Sequence, residues 1–238
     1  MWILLILTFH ALMPAQTPVS PPVQIESSAI VDVPSGSRVV FYLRNNASQP
    51  VVAWRVGVKI TLATGEVRSR ELIVDGYSVH EGIAPAGPEE SVIGPDGTVK
   101  GSIDFEQTKT TDVIAVRPSV VAAVFADRSA VGDTAAVKDI FQSRQRECDA
   151  YAFIVRALRA GHAEAKGRAA LQASLEALNA PEQEDFNNLE KKSVRRELER
   201  LISRGDPPTG QLEDILRTLT LSMEARWQAA NLHRQPKS

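Results

Sequence analysis

Val51-Val52-Ala53-Trp54-Arg55-Val56-Gly57-Val58-Lys59-Ile60-Thr61-Leu62 is the stretch on which the fold turns. Val52, Trp54, Val56, Val58 and Ile60 fall on one face, and Arg55 and Lys59 on the other, with Gly57 between them. Successive strand side chains point to opposite faces, so this period of two predicts a half-buried strand. Working outward, Val39, Val40, Phe41, Tyr42 and Leu43 form a β-branched and aromatic run that ends at Asn45-Asn46. Ala63-Thr64-Gly65-Glu66 reads as a turn, and 71–74, 91–93, 99–105, 113–116 and 120–125 are further strand candidates. Pro95-Asp96-Gly97 has hairpin chemistry, because glycine takes positive φ cheaply. Short strands punctuated by turn signals predict an antiparallel immunoglobulin-like β-sandwich over residues 23–132. The label refers to architecture, since the Cys-Trp-Cys signature of antibody domains is absent.

After Gly132 the period changes to that of a helix. Val137, Ile140, Phe141, Arg144, Cys148, Tyr151, Val155 and Leu158 lie on one stripe, which Arg144 alone interrupts with a charge. Asp133 or Thr134 is placed to cap this helix, and Gly161-His162 to end it. A shorter helix is expected over 163–178. Asn179 and Pro181 then restart the chain, and Phe186, Leu189, Val194, Leu198, Leu201 and Ile202 form the next stripe. Gly205-Asp206-Pro207-Pro208 breaks it. Thr209 opens a last helix with Leu212, Ile215, Leu216, Leu219, Met223 and Trp227 inward. The expected class is α+β, a sandwich followed by an α-helical region over 133–238 that forms a bundle or covers a sheet.

Composition narrows the function. The chain has 238 residues, 43% hydrophobic and 24% charged, enough apolar content for a packed core. Its 27 basic and 29 acidic residues give a net charge of -2, without the basic surplus that nucleic-acid binding needs. The balance holds within each half, at -3 for residues 16–132 and +1 for 133–238. The single cysteine, Cys148, excludes an internal disulfide and a Cys-rich zinc site, and it reads as a small core residue. Residues 1–15 read as a signal peptide: an apolar run over 2–9, too short to span a bilayer, and a cut before Gln16. No Lys or Arg precedes that run. Residues 16–22 form a proline-rich linker, and no later run is long enough to be a transmembrane span.

Chemistry-bearing motifs are sparse. His10 lies in the signal, His162 at a helix end and His233 in the polar tail. His80 stands in Asp75-Gly76-Tyr77-Ser78-Val79-His80-Glu81, where an extended chain would put Ser78 and His80 on one face with acids nearby. That is the basis for a hydrolase alternative, set against a polar interstrand loop. Asp127-Arg128-Ser129-Ala130-Val131-Gly132 begins like a calcium loop but has Val131 fifth and Lys138 twelfth. A looser calcium site on Asp127 and Asp133, or a carbohydrate surface at Trp54, is a further alternative. Asn46-Ala47-Ser48 is a glycosylation sequon and equally a strand end. Lys191, Lys192, Arg195 and Arg196 form a basic cluster diluted by Glu190, Glu197 and Glu199.

Val120 to Asp133, VVAAVFADRSAVGD, resembles a pattern of uncharacterised exported bacterial proteins. There a hydrophobic strand ends in an Asp-Gly-Ser/Thr turn, and Gly-Asp opens a helix. Asn45 to Trp54, NNASQPVVAW, resembles the strand end and next strand of the same proteins. The likeness departs at Arg128, where the pattern has glycine, and it implies no activity and no catalytic residue. Together these features lead to an expectation of an exported, periplasmic or extracellular binding or structural module of the cell envelope. It would meet an envelope protein partner through exposed aromatic residues, without catalysis, nucleic acid or cofactor.

Overall fold

The computed structural model describes residues 20–82, 91–180, 189–204 and 209–237. The signal-peptide run, Pro181, Phe186 and the break at 205–208 lie outside them. Among the described residues the chain is α+β, with two antiparallel sheets followed by several helices. In chain order the strands are β1 (Val23–Val33), β2 (Gly36–Asn45), β3 (Val51–Leu62), β4 (Val67–Asp75), β5 (Thr98–Glu106), β6 (Val113–Phe125) and β7 (Ala130–Gly132). A single helical turn, α1 (Tyr77–His80), follows β4. Four longer helices follow among the described residues: α2 (Thr134–Glu164), α3 (Arg168–Asn179), α4 (Leu189–Ser203) and α5 (Thr209–His233). One sheet has the order β1-β2-β5 and the other β4-β3-β6-β7.

The alternation of β3 explains how the sheets meet. Trp54, Val56, Val58 and Ile60 face Val39, Phe41, Leu43, Val99 and Phe105 of the other sheet in one shared core. Phe41 and Trp54 pack edge to face, their centroids 6.3 Å apart, which adds about 1 kcal/mol beyond the area they bury. Trp54 is 2% exposed. Val52 departs from the expected face. A bulge between Val51 and Ala53 turns it toward the opposite side of the sheet, where it packs with Ala122, Val124, Ile140 and Phe141.

Other expectations are adjusted by context. Strands expected separately at 113–116 and 120–125 are one strand, β6, that runs through Pro118 opposite Val58. β7 pairs only with Ala122, Ala123 and Val124, so among the described residues no strand pairs at Pro118 on that side to miss its amide donor. Ser91–Ile93 contributes only an isolated bridge from Ile93 to Val51. In the turn that follows, Asp96 and not Gly97 adopts positive φ, at 56°.

α2 is 31 residues long, about 46 Å, and does two jobs. Asp133 caps it by accepting the Ala136 amide at 2.9 Å. Ala136, Ile140 and Phe141 in its first turns lie on the β4-β3-β6-β7 sheet. Tyr151, Ile154, Val155 and Leu158 further on form a second core with Leu171 and Leu178 of α3, Leu198 of α4 and Leu216 of α5. The helix continues through Gly161-His162, where an end was expected, because Gly161 is a contact point rather than a terminus. A Cβ there would overlap Ser174 Oγ and lie 2.6 Å from the Ala170 carbonyl oxygen and from the Ser174 amide nitrogen. The missing side chain is what lets α2 and α3 approach. Asn179, expected to open a helix, is instead the last residue of α3.

Candidate functional site

The segment that carries Ser78 and His80 is the helical turn α1, not an extended strand. Helical residues two apart project about 200° apart, so the two side chains do not share a face. His80 is exposed. The acids that flank them are engaged elsewhere. Asp75 receives a bidentate fork from Arg144, Nε to Oδ2 at 2.7 Å and Nη2 to Oδ1 at 2.8 Å. Glu81 Oε1 lies 2.7 Å from His233 Nε2.

This joint sits where sheet edge, α1, α2 and α5 converge. Arg144 is 0% exposed and His233 2% exposed. The Arg144 guanidinium lies 5.2 Å from the Tyr77 ring centroid and 5.5 Å from that of Phe141. Aromatic faces stabilise a cation held there. Its Nη1 also donates to the His233 carbonyl oxygen at 3.4 Å. The Tyr77 and His233 rings pack with centroids 5.6 Å apart. Tyr151 donates to Glu147 at 3.1 Å, and burial, then the Glu147 charge, push the Tyr77 hydroxyl far above the usual tyrosine range. The His233 Nδ1 is buried and has no hydrogen-bond partner among the described residues.

The charge that interrupts the α2 stripe is therefore the centre of a polar joint between sheet and helices. Arg144 was legible as an anomaly in an apolar row. His233 was read as tail, yet it follows Ala230 by three residues and so continues the buried stripe of α5.

The calcium candidates are also engaged. Asp127 accepts the Ser129 hydroxyl at 2.6 Å, the Ser129 amide at 3.0 Å and the Lys237 ammonium at 2.9 Å. Asp133 is the α2 cap. Among the described residues no group of three or more His, Cys, Asp or Glu side chains could hold a metal ion. Trp54 lies in the core, away from any ligand surface. Asn45, fully buried, donates to the carbonyls of Gln49, Ile93 and Gly94, and Asn46 donates to that of Pro21, so the sequon is also a hydrogen-bonded strand end. Burial pushes the Cys148 thiol up, consistent with a packed role. In the basic cluster, Arg195 pairs with Glu199 at 2.9 Å and Lys191 lies 4.7 Å from the Phe153 ring centroid.

Arg128, where the resemblance has glycine, adopts φ 70°. A non-glycine residue pays about 1 kcal/mol there. Two C-terminal contacts hold it: Arg128 Nη1 donates to the Leu232 carbonyl at 3.3 Å, and the Lys237 amide donates to the Arg128 carbonyl at 3.2 Å. The tail thus clasps the β6–β7 turn. The Ser129 hydroxyl, followed by Lys237, lowers the Asp127 carboxyl from 3.8 to about 2. A folded-state value below the unfolded one stabilises the clasp above the unfolded value. That contribution is lost as pH falls through the folded value. Nuclear magnetic resonance is expected to show the Lys237 amide moving to its free-peptide position increasingly between pH 4 and 2, and Asp127→Asn to place it there already at neutral pH.

The outer face of the β1-β2-β5 sheet presents Tyr42, 41% exposed, with Val40, Arg38, Arg44 and, opposite Tyr42, Lys100. Arg38 is held by Asp104 at 2.6 Å and Arg44 by Glu26 at 3.2 Å. α2 packs on the other sheet.

No family model matches the chain, and no curated protein matches it. A hypothetical protein from Peptoclostridium difficile 630, solved by X-ray crystallography, is similar at 13% identity, 52% coverage of this chain, 91% of that one, and a TM-score of 0.32. An X-ray structure of a Northeast Structural Genomics Consortium target is similar at 11% identity, 46% and 79% coverage, and a TM-score of 0.26. The site rests on its own residues. No helix among those described is long and apolar enough to cross a membrane.

Proposed function

We propose that this chain is an exported binding or structural module of the cell envelope that meets a protein partner and does no catalysis. The observation that carries this reading is the sheet face around Tyr42, exposed among the described residues and flanked by arginines and a lysine. Tyrosine and arginine dominate the energetics of protein interfaces. The engagement of Asp75 by Arg144 and of Glu81 by His233 supports a mechanical rather than catalytic role for the polar joint. The strand order supports an immunoglobulin-like sandwich: the second strand lies between the first and fifth, and the third between the fourth and sixth. The apolar run at residues 2–9 supports export, to the periplasm or beyond.

A photoreactive phenylalanine analogue at position 42 tests the face. Irradiation of envelope fractions is expected to yield one discrete adduct, absent when the analogue stands at exposed Thr64 on the other sheet's turn. Tyr42→Ala is expected to weaken capture of that partner about tenfold, with an unchanged unfolding midpoint. Equal adducts from both positions would remove the support. The N-terminal residue of the mature chain, read by mass spectrometry, checks export separately.

A further inference from the structure

β4 ends its sheet, and no described strand pairs with its outer side. Its register on β3 sets which side chains face the inter-sheet space: Val74 beside Trp54, Leu72 beside Val56, Arg70 beside Val58 and Arg68 beside Ile60. The inward row therefore changes from apolar to basic halfway along. Arg68 is paired with the exposed Glu66 at 2.7 Å, a carboxylate that a peptide acid would displace, and donates to the buried Thr108 hydroxyl at 2.8 Å. Arg70 is exposed and its side chain makes no hydrogen bond or ion pair among the described residues, although its charge reaches Asp104. With Ser69, Phe105 and Glu106 the two arginines line a cleft of about 280 Å³ where β4 approaches β5 of the other sheet. The outward row of the same strand exposes Val67 at 57% and Ile73 at 55%.

Inward charges on an edge strand commonly guard it against pairing. They do not account for the cleft beside them or for the apolar side chains left in solvent on the other face. We propose that β4 accepts an extended acidic peptide as an added strand. Backbone amides and carbonyls of the peptide pair with the free edge, and its alternate side chains face inward. Running antiparallel, the peptide places two apolar side chains beside Val74 and Leu72, then two carboxylates beside Arg70 and Arg68. Residues two apart in a strand are separated by about 6.7 Å, so alternate carboxylates match the spacing of the arginines. Charge-assisted hydrogen bonds to guanidinium then select the acidic register. Tyr42 and its face take no part, so loss of binding at one leaves the other intact.

The full chain and a fluorescent peptide, Val-Thr-Val-Thr-Glu-Thr-Glu, test this by anisotropy. Saturable binding is expected, about tenfold weaker in Arg70→Glu, which corresponds to one lost charge contact. The same peptide with Lys for Glu is expected to bind Arg70→Glu better than it binds the parent. Methylation of alternate peptide amides removes strand pairing and leaves the charges, and it is expected to abolish binding. Circular dichroism verifies that Arg70→Glu is folded, since Arg70 is exposed and unpaired. Three results overturn the proposal: no saturation with the parent peptide, equal affinity for Arg70→Glu, or retained binding of the methylated peptide. Sedimentation showing that the chain alone dimerises, and that Ile73→Lys disperses the dimer, would assign the edge to a second copy instead.

Discussion

Arg144→Met is expected to lower unfolding stability by about 3 kcal/mol. Arg144 is fully buried and offers a fork to Asp75, a further donor to the His233 carbonyl, and a cation to Tyr77 and Phe141. Methionine fills much of the volume but leaves the Asp75 carboxylate and the His233 carbonyl without their donor. The loss comes from those stranded groups more than from the bond itself. The Asp75 side chain is 25% exposed, so water softens the loss without removing it. Arg144→Lys is expected to recover little, because an ammonium cannot reproduce the fork. The double variant Arg144→Met with Asp75→Leu is expected to regain most of the stability, since no unpaired charge remains. Urea unfolding followed by far-ultraviolet circular dichroism measures all three. A single variant within about 1 kcal/mol of the parent would show that the joint is not held by this pair.

Gly161→Val is expected to cost about as much by a different route. The overlap with Ser174 Oγ could be relieved by rotating a side chain. The approach to the Ala170 carbonyl and the Ser174 amide cannot, because both belong to the α3 backbone. α3 must move away from α2, and Leu171 and Leu178 leave the helical core with it. Overpacking of this kind costs about 1–3 kcal/mol, and the lost burial adds to it. Gly161→Ala gains about 1 kcal/mol of helix propensity, so its smaller net loss separates steric from intrinsic effects. Hydrogen exchange should locate the damage: faster exchange in α3 and α4, and little change in β2, β3 and β5. Uniform acceleration across sheets and helices would mean that the two cores unfold as one unit.

The two periods were legible because each core reads its own. β3 alternates where it faces the opposite sheet, and α2 repeats at helical spacing along both of its contacts. Val52 was misplaced because a bulge shifts facing by one residue without changing the local pattern. The candidates at 113–116 and 120–125 join into one strand because β7 is too short to pair at Pro118, so the proline costs no ladder bond on that side. β1 was not resolved as an element, since its bulge between Ile25 and Ser27 interrupts the alternation. The joint was half legible. An arginine in an apolar stripe requires a counter-charge, but Asp75 lies 69 positions away and only the folded chain brings them together. The Ser78–His80 pairing depended on an extended segment, and the local hydrogen bonds from Val79 and His80 amides to the Gly76 carbonyl coil it instead.

The clasp of Lys237 on the β6–β7 turn has a mechanical consequence. The helical region begins just after Gly132, and Lys237 is bonded back to Asp127 and Arg128 on the turn before it. A pull applied at Lys237 therefore enters the sheet at that turn directly. The four long helices sit on a side loop, outside the load path, until the clasp gives way. Tension would first strip a few polar contacts and only then draw on α5, so the molecule has a built-in order of yielding.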